Sequence, residues 1–424
     1  MKQVRARIKV KAKQHFKTVG LPLLIILTIL GIIVPINRWY QKKSLEKFPI
    51  SDRQLLAAQW LDLERVLQNS FEVESPYWPT QLFSAGEQYS INYTLDYDLT
   101  NFLKNLISMH QSDYTSVVVI DNETGHILAA LDHERKSNIF DKKITFSATS
   151  PAASLFKVVT AADVIQHRNV SSLTSFSFWG RKTTLYRNQL QEKRREREIP
   201  FMQAFAESNN VVFGKAALMY SDSLSLLKTA ESFGFNRSII DFLNMGKSFF
   251  PIAENEYNLA ELGSGLNTVT MISPVHAAKM AAIVANGGRD FNLKLVKSLI
   301  QNSNQAEIFP PELDFKRSKI VISPDTNEQL KLLMNSAIEN GTARMIRKKM
   351  NKKIYESLEM GGKTGQMTGG IPQGKRDWFI LYAIPKDGSS KGVSIAVMLV
   401  NQQHWYVRSV YMAMKILEHL YSVK

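Results

Sequence analysis

The apolar pattern begins abruptly at Val19. From there to Ile36, 18 consecutive positions carry no charge, and LPLLIILTILGIIVPI forms the core of the run. That length suits one helix across a bilayer. Pro22 and Pro35 lie near its ends, where they cost least. The exit, Asn37-Arg38-Trp39-Tyr40, offers interfacial aromatics and no small-x-small cleavage site, so the pattern predicts an uncleaved anchor. Ile50 to Phe71 then shows helical spacing at Leu55, Leu56, Gln59, Leu63, Val66 and Leu67, which predicts an amphipathic stalk helix. Glu74 to Glu87, with Pro76, Pro79 and Gly86, reads as linker.

Beyond the linker the periods alternate. Tyr89 to Leu95 reads as a short strand and Asp98 to His110 as a helix. Tyr114 to Asp121 is a strong strand, Asn122-Glu123-Thr124-Gly125 has turn chemistry, and His126 to Leu131 returns, which predicts a hairpin. A helix is expected to start at Ser150, with that serine as cap and Pro151 in the first turn. Arg181 to Pro200 is so charged that it predicts a solvated loop or exposed helix. Pro200 to Tyr220, Leu224 to Phe233 and Ser273 to Asn286 read as helices, the last stopped by Gly287-Gly288. Three strands follow, Glu359 to Gln366, Trp378 to Ile384 and Val393 to Val400, and a helix from Trp405 to Leu420 closes the chain. Two early strands, a long helical insertion and three late strands predict an α+β fold. It is an antiparallel five-stranded sheet flanked by helices, with an all-helical subdomain, preceded by one transmembrane helix. The expected organisation is a basic tail (1–18), the span (19–36), a stalk and linker (37–87) and one catalytic domain (88–424).

Composition sharpens this at a few points. The chain has 424 residues, 44% of them apolar, enough for a substantial core. It has no cysteine, which excludes disulfides, thiolate metal sites and a cysteine nucleophile. Its eight histidines show no HExxH spacing, so neither a zinc site nor any cofactor is expected. The formal charge is +15, yet residues 1–17 carry seven Lys/Arg and no acid. Only Arg38, Lys42 and Lys43 follow the span, so the tail is expected in the cytoplasm and the rest of the chain outside. The remaining surface is mildly basic, and no nucleic-acid partner is expected.

The candidate chemistry sits in Ser154-Leu155-Phe156-Lys157. A serine and a lysine three apart share a helical face. A lysine within an apolar helix is costly to bury, and burial with a second cation nearby would push it toward the neutral form. A neutral amine could then take the proton of a serine, which is a poor nucleophile without a base. The spacing alone does not separate this from a core helix with a snorkelling lysine, since Ser44/Lys47 and Ser225/Lys228 match it too. Ser208-Asn209-Asn210 offers a hydroxyl relay and an amide, or simply a helix cap, and Ser90-Ile91-Asn92 repeats its pattern. Gly361-Gly362-Lys363-Thr364-Gly365 starts a late strand, and paired glycines let something approach the backbone closely.

Taken in order, Ser154/Lys157, Ser208/Asn210 and Lys363-Thr364-Gly365 form the SxxK, Ser-x-Asn and KTG set. Over roughly residues 88–424 the chain resembles the transpeptidase domain of penicillin-binding proteins. Asn92-Tyr93-Thr94-Leu95-Asp96, VVIDNETGHILAA, Gly263-Ser264-Gly265, Ser273-Pro274, Ala285-Asn286-Gly287-Gly288, Gly341-Thr342-Ala343 and Asp377-Trp378-Phe379 extend the likeness. The resemblance implies catalysis by Ser154 as nucleophile, Lys157 as its base and Ser208 as proton relay to the leaving group. It implies substrate binding by Asn210, Lys363, Thr364, Gly365 and Gln366. The oxyanion hole would be the backbone N–H groups of Ser154 and Gln366, each typically worth ~3 kcal/mol. The implied partners are peptidoglycan stem peptides, β-lactams and proteins of wall synthesis. One departure stands out. The residue after KTG is often Thr or Ser in the family, and here it is Gln366. About 75 residues separate the span from the catalytic strands, too few for a glycosyltransferase domain. A D,D-carboxypeptidase, a serine β-lactamase, a β-lactam sensor and a non-catalytic scaffold share the fold and remain open at this level.

Overall fold

The structure is a computed structural model. It describes residues 50–422 apart from 73–77, 141–142, 169, 241–242, 244 and 311–318. The chain divides into two compact units, Met1–Asp62 and Leu63–Lys424. The predicted basic tail and the span at 19–36 lie outside the described residues. Among those described, no helix is long and apolar enough to cross a membrane.

In chain order the elements are helix α1 (Ile50–Glu72), strands β1 (Gln81–Ser84) and β2 (Glu87–Tyr93), helix α2 (Tyr97–Ser108), and strands β3 (Tyr114–Asp121), β4 (Ile127–Glu134), β5 (Ile139–Phe140) and β6 (Ser150–Pro151). Then come α3 (Lys157–Arg168), β7 (Ser175–Phe178), β8 (Arg197–Pro200), α4 (Phe201–Ala206), α5 (Asn210–Tyr220), α6 (Ser223–Ser232), α7 (Glu256–Ser264), β9 (Met271–Ile272) and α8 (Pro274–Ala285). The chain ends with β10 (Val296–Gln301), β11 (Glu307–Ile308), α9 (Pro324–Glu339), α10 (Met345–Lys349), α11 (Lys352–Ser357), β12 (Leu358–Thr368), β13 (Lys375–Pro385), β14 (Val393–Asn401) and α12 (Ser409–Leu420).

The central sheet is antiparallel in the order β12-β13-β14-β3-β4-β5. It holds the five predicted strands and a sixth of only two residues, β5, too short to show a period in sequence. The inner strands β3, β13 and β14 carry unbroken apolar runs because both faces are covered. On one face Leu99, Leu103 and Leu106 of α2 and Met412, Ala413 and Ile416 of α12 pack on Val117, Phe379, Leu381, Ile395 and Val397. On the other lies α8, buried along its length, with Ser273 as its cap and Pro274 at its start. The helical subdomain, α3 to α7, is inserted between β6 and β9, and α9 packs on the edge strand β12.

Four local expectations are corrected. Ser150 does not cap a helix. It pairs with Ile272, and Pro151 with Met271, because tertiary partners claim both: Arg376 Nε donates to Ser150 Oγ at 2.8 Å and Trp378 Nε1 to the Pro151 carbonyl at 3.1 Å. A 3-10 turn, Ala153–Phe156, follows, and the α-helix starts only at Lys157. The helix read across Pro200 to Tyr220 is broken at Glu207–Asn209, where Ser208 takes φ 57° and Asn209 caps α5 by accepting from the Val212 N–H. The charged stretch 181–200 is not fully solvated, since β8 pairs with β7 and Glu196 and Lys215 form a largely buried ion pair at 3.0 Å. The linker read through residue 87 contains β1, which turns through Ala85 and Gly86, both at positive φ, into β2. Their sheet runs β1-β2-β10-β11.

Candidate active site

The 3-10 turn that precedes α3 presents Ser154, half-buried, at the floor of a cleft of about 690 Å³. Three features set that turn. Ala153 stands at φ 50°, a left-handed conformation that costs a non-glycine residue energy and is tolerated where surroundings impose it. Gly265, just after α7, stands at φ 70° so close to the turn that a Cβ would overlap the Ala153 carbonyl oxygen. The next strand over, β12, brings Gly365 against Leu155 and the Ala152 carbonyl.

Lys157 opens α3 and is completely buried. Its Nζ lies 2.8 Å from Ser154 Oγ, 2.7 Å from Asn210 Oδ1 and 2.5 Å from the Ser264 carbonyl oxygen. Burial holds its ammonium well below the ordinary lysine range, and the charge of Lys363 pushes the same way. A neutral amine has two N–H donors and one lone pair. In that form Asn210 Oδ1 and the Ser264 carbonyl would take the donors and leave the lone pair for the Ser154 Oγ–H, whereas the ammonium donates to Ser154 Oγ. Asn210 is oriented for this by donating its own Nδ2–H to the Thr183 carbonyl at 3.0 Å.

Across the cleft, Lys363 is buried on β12 and donates to Ser208 Oγ and to the Thr364 carbonyl, each at 2.9 Å. Burial lowers it to about 7. Each lysine also lies near an aromatic ring, Lys157 5.5 Å from Phe213 and Lys363 5.4 Å from Phe205, where a cation is attracted to the π face. Thr364 shares a hydrogen bond of 2.6 Å with Thr342. The paired glycines before Lys363 do serve close approach, but of the neighbouring strand. A Cβ on Gly361 would meet the Tyr382 ring and one on Gly362 the Phe379 ring.

All eight sequence-predicted residues therefore converge: Ser154, Ser208, Asn210, Thr364, Gly365 and Gln366 line the cleft, and Lys157 and Lys363 reach it through their hydrogen bonds. The decoys stand apart. Ser225 donates to Asp163 at 2.8 Å on α6, and Ser90 to Asn302 at 2.8 Å in the smaller sheet. Ser44 and Lys47 lie outside the described residues. Gln366 is exposed at the cleft, and its Nε2 donates to the buried Asp377 at 3.2 Å. Asp377 also accepts from Arg408 Nε at 3.0 Å and from the Ser409 N–H at 2.8 Å. Arg408, Arg344, Lys348 and Lys349 line the same cleft, and no motif pointed to them. Among the described residues no cluster of His, Asp and Glu is placed to hold a metal ion.

A sequence profile of the penicillin binding protein transpeptidase domain matches residues 115–416. No curated protein matches by sequence. Among solved structures, the D,D-transpeptidase domain of a peptidoglycan glycosyltransferase from Eggerthella lenta is similar at a TM-score of 0.61 and 20% identity, over 79% of this chain and 83% of that one. Penicillin-binding protein A of Mycobacterium tuberculosis, solved as a ceftriaxone acyl-enzyme complex, is similar at 0.57 and 18%, over 79% and 80%. Penicillin binding protein 3 of the same organism, solved with aztreonam, is similar at 0.63 and 17%, over 79% of each chain. At these identities the likeness is one of fold.

Proposed function

Since the chain belongs to the penicillin-binding protein transpeptidase family, we propose that it is a serine D,D-transpeptidase that cross-links peptidoglycan stem peptides through an acyl-enzyme on Ser154. The single observation that carries this is the hydrogen bond of 2.8 Å between Ser154 Oγ and the completely buried Lys157. In the proposed reaction Ser154 Oγ attacks the carbonyl carbon between two terminal D-alanines while Lys157 takes the hydroxyl proton. The C–N bond then breaks, and Ser208 passes a proton to the departing amine. Lys363 and Thr364 hold the terminal carboxylate, and Asn210 bonds the peptide backbone. The N–H groups of Ser154 and Gln366 receive the oxyanion. An amine of a second stem attacks the ester to form the cross-link; water in its place would give carboxypeptidase activity. β12 suits an extended substrate because it is the edge strand of its sheet and borders the cleft through Thr364, Gly365 and Gln366.

The basic tail and apolar run before residue 37 support a single-pass anchor, with the tail in the cytoplasm and the catalytic domain on the outer face of the plasma membrane. The relatives acylated or occupied by ceftriaxone and aztreonam support β-lactams as active-site ligands here.

The test is intact-mass analysis of the full-length chain with benzylpenicillin, beside Ser154→Ala. A persistent adduct on the native chain alone is the expected result. Rapid loss of that adduct would replace transpeptidase by β-lactamase. No adduct, together with no release of D-Ala from a stem peptide, would overturn an enzymatic role in favour of a scaffold.

A further inference from the structure

The cleft is strongly asymmetric in charge. One wall is the short helix α10 with its N-cap residue, and Arg344, Met345, Lys348 and Lys349 all line it. These positions are i, i+1, i+4 and i+5, one stripe of a helix. The opposite stripe fixes the helix in place, because Ile346 and Met350 are buried in the core beneath the sheet. Arg347, on neither stripe, reaches Glu339 at 3.9 Å. The helix is therefore locked with three cations turned to the cleft. Arg344, Lys348 and Lys349 are exposed, and among the described residues none of the three forms an ion pair.

The other charges near the cleft are already matched. Arg408 is paired with Asp377, and Glu207, the one acid in the lining, is paired with Lys182 at 3.0 Å. The terminal carboxylate has its own proposed partners in Lys363 and Thr364, on the strand. Three unmatched cations on a separate wall call for further negative charge in whatever fills the cleft. A stem peptide has such charge only where its residues upstream of the D-Ala pair carry free carboxylates.

We propose that the α10 wall is a second carboxylate subsite, selecting stem peptides whose upstream residues carry free carboxylates over those in which these are amidated. This rests on the acyl-enzyme reading above. Exposed charge pairs each contribute modestly, so three together give a preference of about tenfold. The preference belongs to binding: it appears in KM, leaves kcat unchanged and shrinks as salt screens the wall.

The test uses the full-length chain and two stem pentapeptides ending in D-Ala-D-Ala, identical except that upstream carboxylates are free in one and carboxamides in the other. D-Ala release and the slowing of benzylpenicillin acylation are both read. The native chain is expected to favour the acid peptide about tenfold in KM. The combined variant Arg344→Gln, Lys348→Gln, Lys349→Gln is expected to treat the two alike while benzylpenicillin still acylates it within twofold of the native rate, which shows that the fold and Ser154 are intact. Equal handling by the native chain, a preference for the amide, or a preference that survives in the variant overturns the subsite. If penicillin acylates and the peptides are handled alike, only this inference falls. If neither penicillin nor either peptide engages the native chain, the acyl-enzyme reading falls with it.

Discussion

Lys157 Nζ lies 2.8 Å from Ser154 Oγ with both of its other hydrogen-bonding directions taken, by Asn210 Oδ1 and the Ser264 carbonyl. The pair is oriented from three separate elements, so the proposed base needs no rearrangement before reaction. Replacing it isolates its share. Lys157→Met keeps most of the buried stem and removes the base, and is expected to slow benzylpenicillin acylation 10²- to 10⁴-fold. Lys157→Arg is expected to be as slow, because a guanidinium stays protonated. Stopped-flow or intact-mass acylation rates check both. A variant that retains a tenth of the native rate would remove Lys157 from the role of base.

The two lysines also predict a pH profile. In the proposed mechanism acylation needs Lys157 neutral and is helped by a charged Lys363. Lys157 titrates well below the usual lysine range, so the acid limb lies low. Lys363 titrates at about 7, so the alkaline limb of kcat/KM is expected near pH 7. Stability runs the other way. The unfolded chain holds the Lys363 proton up to about 10.4, whereas the folded chain releases it near 7. Across that window the unfolded state binds more protons, so stability rises with pH, and the penalty is complete below about 7. Acylation rates and Tm from pH 5 to 10 test both halves. An acylation rate that climbs steadily to pH 9 would contradict the charge assigned to Lys363.

Much of this site was legible in the sequence because its chemistry demands particular side chains at fixed local spacing. Ser154 and Lys157 are one turn apart whether the turn is 3-10 or α. What sequence could not show is how distant elements override local preference. Ser150 and Pro151 have the chemistry of a helix start, yet Arg376 and Trp378, more than two hundred residues away, hold them as a strand. The break at Ser208 follows from Asn209 capping α5, a role sequence spread over three neighbouring polar residues. The cationic wall was invisible because Arg344, Lys348 and Lys349 read as ordinary solvated charges. Only the burial of Ile346 and Met350 decides which way their helix faces.

Two glycines with similar backbones separate strain from steric contact. Gly287 has φ 68° and open space around its Cβ position, so Gly287→Ala is expected to cost only the left-handed strain, about 1 kcal/mol. Gly265 has φ 70°, but a Cβ there overlaps the Ala153 carbonyl, beside Ser154. Gly265→Ala is therefore expected to lower Tm further and to slow acylation at least tenfold by displacing Ser154. Paired thermal melts and acylation rates check this. Equal Tm losses for the two variants would show that the turn yields freely.

Asp377 gathers Arg408, the Ser409 N–H and Gln366 around one buried carboxylate. Asp377→Ala leaves the Ser409 N–H without its acceptor and Arg408 without its counter-charge. Arg408 is 45% exposed and recovers part of its solvation, so the expected loss is about 2 kcal/mol, below the usual cost of breaking a fully buried pair. Denaturant unfolding measures it. A loss under about 0.5 kcal/mol would mean that water replaces the carboxylate without penalty.

Gln366 stands where related chains often have a hydroxyl that helps hold the substrate carboxylate. Its amide N–H is directed to Asp377 instead of into the cleft. The side chain is exposed, so Gln366→Thr is expected to change stability by no more than about 0.5 kcal/mol. The threonine hydroxyl would add one hydrogen bond to a carboxylate that the proposed mechanism gives to Lys363 and Thr364. One such bond is worth about 1 kcal/mol, so benzylpenicillin acylation is expected to rise about five- to tenfold. The gain should appear in the concentration dependence of acylation and not in its limiting rate, because the added bond is made equally in the bound complex and the transition state. An unchanged rate would mean that Gln366 already supplies that contact through the second hydrogen of its Nε2. A limiting rate that rises with unchanged affinity would assign the residue to the oxyanion instead of the carboxylate.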